Sequence, residues 1–418
     1  MKKLALVFAL ACLACTERNP AYCGDGTCID PERPFCDVDG TIAGTPGTCI
    51  AVDCTPSEFA HCRGDIAVTC SANGTNYDSV QCPMGCAPAA AGCIECTGNA
   101  QCGEMAVCDA TANHCRGCRA DDECDSLVCD VETGSCIAET AIVYASPSGT
   151  GGCSRAQPCS LQQAYVTAAN ASPIPIVRML PGNYTSSLRA DVPTASAVQI
   201  VATGANVVLI GLIAVVEVEG GARVAIRNLT ATSERQVQCG LASMTAPLST
   251  IHIRDSVLTM VGTATAFETQ RCELGLRSTE LSIGAGTVLG TRSDSTFKAD
   301  GLFVRGSAVN ALVFAGSRNV IDIVNSVFVE TELVAFLSDT SVPGSSLRFA
   351  HSTLLFPHEV GICSGATANY AHSRFENTII GVVGADDAFT TPNPANCTFV
   401  STILTKQATP LAGTTVSD

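Results

Sequence analysis

A repeat of about 25 residues runs through the C-terminal two thirds of this chain and limits the folds that the chain can adopt. Each repeat contains a polar residue, called here the anchor, surrounded by short runs of β-branched residues without helical periodicity. The anchors are Asn228, Asp255, Ser278, Asp300, Asn325, His351, Asn377 and Ser401. The pattern extends two repeats further upstream. The repeat therefore predicts a solenoid of about ten coils, one coil for each repeat.

Two positions of the repeat are apolar in nearly every copy. Three residues after the anchors stand Ala231, Leu258, Leu281, Phe303, Phe328, Leu354, Ile380 and Leu404. Two residues before the anchors stand Ile226, Ile253, Leu276, Lys298, Ile323, Phe349, Phe375 and Phe399. Because side chains alternate between the two faces of a strand, these positions predict a buried interior that stacks from coil to coil. The polar anchors, His351 included, are predicted to be bend residues with unusual backbone dihedrals.

Residues 16–140 have a different composition, dominated by cysteine and acidic residues. Of the 26 cysteines, eighteen lie between Cys23 and Cys136, and the segment holds 20 acidic residues, five arginines and no lysine. This composition predicts small modules that are ordered by disulfides in an oxidising compartment. The negative charge also excludes attraction for nucleic acid. The segment is interpreted as a cross-linked, acidic stalk.

One cysteine set within the stalk fits the spacing of a zinc site. Cys93 and Cys96 are separated by two residues, as are Cys115 and Cys118, and two such pairs can supply the four thiolates of a zinc site. The same pairs arise wherever one cysteine repeat meets the next, and the cysteines from Cys96 to Cys136 repeat after 22 residues. Disulfides are therefore the preferred interpretation, with neither a metal nor a cofactor expected. Of the remaining cysteines, the spacing predicts the disulfides Cys153–Cys159, Cys239–Cys272 and Cys363–Cys397.

Residues 1–15 have the features of an export signal. A basic start precedes an apolar run, Leu4–Ala14, which is too short for a permanent membrane span. The run ends in Cys12-Leu13-Ala14-Cys15, which resembles a bacterial lipobox, although Cys12 stands where that family prefers leucine. The resemblance implies lipidation of Cys15 and, with Thr16 next, location at the outer membrane or cell surface. The alternative is an ordinary cleaved signal and secretion.

Residues 141–418 resemble the pectin-lyase-like right-handed parallel β-helices. The resemblance rests on the repeat and on an entry sequence that comprises Tyr144–Gly149, Cys153, Pro158-Cys159, Ser160–Ala164 and Leu180–Tyr184. It implies a mainly β fold in which Ser160–Ala164 begins a short helix over the N-terminal end of the core. This scaffold is found in lyases, hydrolases, adhesins and other surface proteins, so the resemblance implies a fold more than a function.

Enzymes with this fold place carboxylates on neighbouring coils, so the outward positions beside the anchors decide between catalysis and binding. One residue before the anchors stand Arg227, Arg254 and Arg277, with His252 nearby. The only carboxylates in the two outward columns are Asp322 and Glu376, on separated coils, and the only adjacent pair is Asp386-Asp387. Two interpretations of the arginines remain. They form either a groove for an acidic glycan or a ladder of ion pairs with Asp255 and Glu280, and the ladder is preferred.

The sequence therefore favours a non-catalytic surface lipoprotein whose β-helix serves adhesion or the binding of a glycan or protein partner. Its only membrane contact is expected through the lipid anchor. The alternative is a secreted polysaccharide lyase or glycoside hydrolase with its site in loops that the repeat does not align.

Overall fold

The computed structural model describes residues 21–417 apart from short internal segments, and it divides the chain into two compact units, Met1–Ile137 and Ala138–Asp418. The segments outside the described residues are 24–26, 39, 41–43, 73, 75, 104–106, 203–206, 212–214, 241–246, 307–309, 315–317, 330–334, 338–344, 357–359, 362–371, 383–388, 391–396 and 405–414.

The first unit consists of small antiparallel sheets joined by disulfides. Its strands are β1 (Phe35–Asp37), β2 (Thr48–Ile50), β3 (Phe59–Arg63), β4 (Ile66–Cys70), β5 (Tyr77–Gln81), β6 (Cys86–Ala87), β7 (Gly92–Cys93), β8 (Val107–Asp109), β9 (His114–Arg116), β10 (Cys129–Asp130) and β11 (Ser135–Cys136). Strands β3, β4 and β5 form one sheet, and the other strands pair in hairpins. Short 3-10 helices cover Pro88–Ala90, Asn99–Gln101 and Asp121–Glu123.

Nine disulfides cross-link the described part of this unit. They join Cys23–Cys36, Cys28–Cys49, Cys54–Cys70, Cys62–Cys86, Cys82–Cys93, Cys96–Cys108, Cys102–Cys115, Cys118–Cys129 and Cys124–Cys136. The last four bonds make two successive modules with the same connectivity, first to third and second to fourth cysteine. One buried cluster here contains Val107 and four half-cystines. The disulfides thus occupy the place of an apolar core, as expected for modules of this size.

The second unit is a parallel β-helix built from three main sheets. The first sheet, in spatial order, contains β12 (Ile142–Ala145), β13 (Ile176–Met179), β16 (Val198–Ala202), β19 (Arg223–Arg227), β22 (Ser249–Arg254), β25 (Cys272–Arg277), β28 (Thr296–Asp300), β31 (Val320–Val324), β34 (Ser346–Ala350), β37 (His372–Glu376), β40 (Cys397–Val400) and β42 (Thr415–Ser417). Every pair of neighbouring strands in this sheet is parallel.

The second and third sheets follow the first at each turn of the chain. The second contains β14 (Gly182–Tyr184), β17 (Val207–Gly211), β20 (Thr230–Ser233), β23 (Val257–Met260), β26 (Glu280–Ile283), β29 (Phe303–Arg305), β32 (Val327–Val329), β35 (Thr353–Phe356), β38 (Ile379–Val382) and β41 (Ile403–Leu404). The third contains β15 (Leu188–Ala190), β18 (Val216–Val218), β21 (Val237–Cys239), β24 (Thr265–Thr269), β27 (Thr287–Thr291), β30 (Asn310–Phe314) and β33 (Ala335–Leu337). Strands β36 (Val360–Gly361) and β39 (Phe389–Thr390) pair separately.

The predicted fold is present, but the predicted number of coils differs from the structure. The third main sheet has seven strands, so seven coils pass through all three main sheets within the described residues, where about ten were expected. The anchors that define the repeat lie at the corner between the first and second sheets. That corner recurs in more coils than the third side does.

The corner between the first two sheets is made by the anchors, as predicted. Seven anchors adopt a left-handed backbone, with φ between 47° and 59°: Asn228, Asp255, Ser278, Asn325, His351, Asn377 and Ser401. The backbone N–H of each described anchor up to Asn377 donates to a carbonyl on the next coil, for example Asn325 to Ala350 at 3.0 Å and His351 to Glu376 at 2.9 Å. His351 is therefore a bend residue.

The fourth anchor was wrong by one residue. Gly301, not Asp300, has the left-handed backbone (φ 70°), and its N–H donates to the Val324 carbonyl at 3.2 Å. With Gly301 as anchor, the interior positions of this coil are Ala299 and Val304, which are 2% and 0% exposed. The shift moves Lys298 and Phe303, both predicted as interior residues, to the outside of the coil. Glycine takes a positive φ without the steric cost that a Cβ carries, so the bend formed there.

Behind the anchors, the interior contains two kinds of stack. The hydroxyls of Ser256, Ser326 and Ser352 accept bonds from backbone N–H groups of the preceding coil, at 3.1–3.3 Å. Towards the C-terminus, Phe349, Phe375 and Phe399 stack with ring centroids 5.6 and 5.2 Å apart. These buried columns fix how each coil sits on the one before it, because both stacks need their partners in register.

The N-terminal end of the β-helix is covered by the expected helix, α1 (Leu161–Ala169). The side chain of Ser160 caps it by accepting the N–H of Gln163 at 3.2 Å. Its buried residues, Leu161, Ala164, Tyr165 and Ala168, recur at helical spacing and form one face over the core. A short 3-10 helix, Glu139–Ala141, precedes the first strand.

Candidate functional site

The outer face of the first sheet contains the arginine row, defined as Arg227, Arg254 and Arg277. Arg227 pairs in register with Arg254, and Arg254 with Arg277, so the three side chains lie on adjacent strands β19, β22 and β25. Neighbouring strands are spaced by about 4.8 Å, which makes the row run along the stacking direction of the coils. Arg227 is only 7% exposed, whereas Arg254 is half-buried and Arg277 is exposed. The accessible charges of the row are therefore those of Arg254 and Arg277.

Within the described residues, the guanidinium groups of Arg254 and Arg277 form neither an ion pair nor a hydrogen bond. The preferred ladder required anions from Asp255 and Glu280. Glu280 instead binds Arg305 at 3.0 Å, and no ion pair of the Asp255 carboxylate is present in that part of the chain. A ladder through this row is thus not formed there. The donors of both guanidinium groups are available to a ligand.

His252 lies beside the row, two residues before Arg254 on the same face of β22. Its neighbours in register are Ala225 and Gly275, which have small side chains or none. A Cβ placed on Gly275 would lie 3.0 Å from Nδ1 of His252, so the imidazole lies over this glycine. The exposed imidazole therefore lies in the space that the missing side chain of Gly275 leaves. The register brings His252, Arg254 and Arg277 together on the outer face of β22 and β25.

The coils that follow show a contrasting arrangement, because their outward charges neutralise one another. Lys298 binds Glu273 at 3.1 Å. Arg348 binds Asp322 at 2.8 Å and Glu376 at 2.9 Å, and Glu376 also binds Arg374. The guanidinium groups of Arg374 and Arg348 lower the pKa of Glu376. A network of ion pairs is therefore present on β31, β34 and β37, which is not the ladder expected at the arginine row.

These ion pairs also bear on the two carboxylates considered for catalysis. Asp322 and Glu376 are both bound by Arg348, so each shares a cation that competes with a metal ion. The adjacent pair Asp386-Asp387 lies outside the described residues. The corrected register adds one carboxylate that the sequence analysis had missed. Asp300 follows Arg277 in the same column and accepts a bond from Asn325 Nδ2 at 2.9 Å.

A signal for this correction was present in the sequence. Lys298 was the only polar residue in an otherwise apolar column, and a glycine stood one place after the assumed anchor. A single polar exception beside a glycine indicates a shift of one residue, because such a shift exchanges the two faces of a strand. With the shift, Lys298 and Asp300 both belong to the outer face.

The cysteine predictions fall partly within the described residues. Cys153–Cys159 and Cys239–Cys272 are disulfides in the structure. Cys363, like Cys12 and Cys15, lies outside the described residues. The cysteines of the zinc pattern belong to four different disulfides, with Cys82, Cys108, Cys102 and Cys129 as their partners. They hold no free thiolates for a metal.

No family model matches the sequence, and no curated protein matches it. Among solved structures, the chain is similar to the crystal structure of pectate lyase Pel9A, with 11% sequence identity and a TM-score of 0.35. The similarity covers 64% of this chain and 78% of that chain. The fold is given directly by the sheets and their register, which define a parallel β-helix protein with a disulfide-rich N-terminal unit.

The disulfides in both units are typical of a protein exported to an oxidising compartment. Among the described residues, no helix has the length and apolar character that crossing a membrane requires.

Proposed function

We propose that this protein is an exported binding protein, anchored to the cell surface by lipid on Cys15, whose β-helix binds an acidic glycan along the arginine row. The observation that carries the proposal is the contrast in charge pairing on one sheet. Arg254 and Arg277 have unused donors among the described residues, while Lys298, Arg348 and Arg374 bind carboxylates.

The chemistry of the row suits repeated anionic groups. A guanidinium group is planar and always charged, and it binds a carboxylate or sulfate through two parallel hydrogen bonds. Arg254 and Arg277 repeat at the strand spacing of about 4.8 Å, so their ligand would follow the stacking direction of the coils. A linear acidic glycan presents its charges in such a row. The imidazole of His252 adds a hydrogen-bonding group at the same place.

The binding test compares two ligands with one backbone, a long oligogalacturonate and its fully methyl-esterified form. Calorimetric titration of the full chain at low salt is expected to show binding of the acid and not of the ester. The variant Arg254→Gln/Arg277→Gln is expected to bind the acid at least tenfold more weakly, because hydrogen bonds to charged groups contribute about 1.5–3 kcal/mol each.

The matched control is Arg305→Gln, which removes one charge from the second sheet, where Arg305 already binds Glu280. Its affinity is expected to equal that of the unmodified protein. Equal binding of acid and ester, or undiminished binding by the double variant, would show that the row is not the site. Unsaturated products absorbing in the ultraviolet, or new reducing ends, would instead support the alternative of a lyase or hydrolase.

Attachment of lipid to Cys15 is tested separately. Replacing Cys15 by alanine is expected to abolish incorporation of labelled palmitate and to move the protein from the membrane fraction to the soluble fraction, since the thiol is the atom that would receive lipid. Cys12→Ala is the control and is expected to keep the label. Unchanged labelling of the Cys15 variant would contradict lipidation at Cys15 and favour Cys12 as the lipidated residue. Secretion of unlabelled protein by all forms would favour an ordinary cleaved signal.

A further inference from the structure

Strand β5 is one of the two edge strands of the three-stranded sheet in the first unit. The order of that sheet is β3, β4, β5, so β5 pairs with β4 on one side only. All five of its residues are exposed, with Tyr77 at 52% and Val80 at 56%. Within the described residues of the first unit, no other strand pairs with this edge. A free edge invites pairing with another chain, because its outward backbone N–H and C=O groups have no strand partner.

The register determines which backbone groups point outwards. The N–H of Cys82 donates to the Asp65 carbonyl at 2.8 Å, and the N–H of Ser71 donates to the Asn76 carbonyl at 2.9 Å. Bonded pairs alternate along an antiparallel ladder, so Asp78 and Val80 direct their backbone groups towards β4. The N–H and C=O groups of Tyr77, Ser79 and Gln81 therefore point to the free edge.

A row of alternating donors and acceptors at strand spacing is complementary to one kind of ligand, the extended backbone of another peptide. The apolar side chains of Tyr77 and Val80 lie on opposite faces of the strand, and each can pack against a neighbour on an added strand. We propose that the edge of β5 binds an extended, basic peptide segment of a partner protein as the fourth strand of this sheet.

The basic character of the partner follows from charge. Residues 16–140 contain 20 acidic residues against five arginines, and β5 itself contains Asp78. Pairing of β5 with β5 of a second copy would bring two strongly negative units together, which charge repulsion opposes at low salt. A segment rich in lysine or arginine would gain from the same field.

The test uses the full chain with its disulfides intact and a synthetic peptide of about eleven residues in which lysine alternates with valine or threonine. Amide hydrogen exchange is followed by NMR with and without saturating peptide. The amides of Tyr77, Ser79 and Gln81 are expected to slow at least tenfold. Those of Asp78 and Val80, already bonded to β4, are expected to change little. This alternation distinguishes strand addition from adsorption onto the surface.

Two variants and one control peptide complete the test. Ser79→Pro removes an outward N–H and is expected to weaken peptide binding at least tenfold, while Ser79→Ala keeps the N–H and should bind normally. Gln81→Pro removes a second outward N–H and replaces Ser79→Pro in the binding measurement if that variant does not fold. The proposal is overturned if the lysine peptide protects no amides, or if a peptide with glutamate in place of lysine protects them equally. Protection that appears without peptide and rises with protein concentration would overturn it in favour of self-association.

Discussion

Reduction of the disulfides is expected to unfold the first unit completely while the β-helix keeps its structure. The described bonds of the first unit close loops of 11 to 24 residues, and closure of such a loop contributes about 3 kcal/mol in the chain-entropy model. The summed contribution of nine such bonds exceeds the whole free energy of unfolding of a typical domain, which is about 5–15 kcal/mol. The buried cluster of Val107 and four half-cystines offers little apolar area to replace them.

The β-helix differs because the interior of its described residues is mainly aliphatic and aromatic. Among the described residues, its buried cluster contains four half-cystines, those of Cys153–Cys159 and Cys239–Cys272, and Cys239 and Cys272 are both fully buried. Its coils are joined by continuous ladders of backbone hydrogen bonds. Loss of its disulfides is therefore expected to leave these ladders protected.

The measurement is hydrogen exchange with mass spectrometry on the full chain after reduction and alkylation at neutral pH. Peptides from residues 21–137 should exchange at the rate of an unfolded chain, and those from the first sheet of the β-helix should keep their protection. The control is alkylation without reduction, which should change neither unit. Persistent protection in residues 54–136 after complete reduction would show that the modules fold without their cross-links.

Replacing Phe375 by alanine is expected to lower the local free energy of unfolding by about 3–5 kcal/mol, the usual cost of removing a buried phenylalanine ring. Phe375 is 1% exposed and stacks between Phe349 and Phe399, so its loss leaves a cavity lined on two sides by rings. Coils of a solenoid contact only their neighbours. The amides of β37 and β40 are therefore expected to lose protection, while those of β19 and β22 remain protected.

The matched control is Phe303→Ala. Phe303 is 38% exposed on the outer side of its coil, and its removal is expected to cost less than about 1 kcal/mol. Native-state hydrogen exchange measures both variants in the full chain. Equal losses for the two variants would contradict the assignment of Phe375 to the interior and of Phe303 to the surface.

The repeat, the bends and the interior of most coils could be predicted from the amino-acid sequence alone. These features are local, because a β-strand alternates its faces every residue and only a few residue types adopt a left-handed bend. Two examples could be predicted in this way. One is the interior column that ends in Phe349, Phe375 and Phe399, and the other is the set of bends that includes Asn325 and His351. The division between a cysteine-rich segment and the β-helix was also visible in composition.

Features that depend on how coils and strands pack together became visible only in the folded structure. The bend at Gly301 moved Lys298 to the surface, since a shift of one residue exchanges the faces of a strand. The repeats differ in length, so charge pairing depends on which side chains the stacking brings opposite each other. For that reason only the structure shows that Glu280 binds Arg305 and that Arg254 and Arg277 keep their donors among the described residues. The free edge of β5 depends in the same way on which strands pair in the first unit.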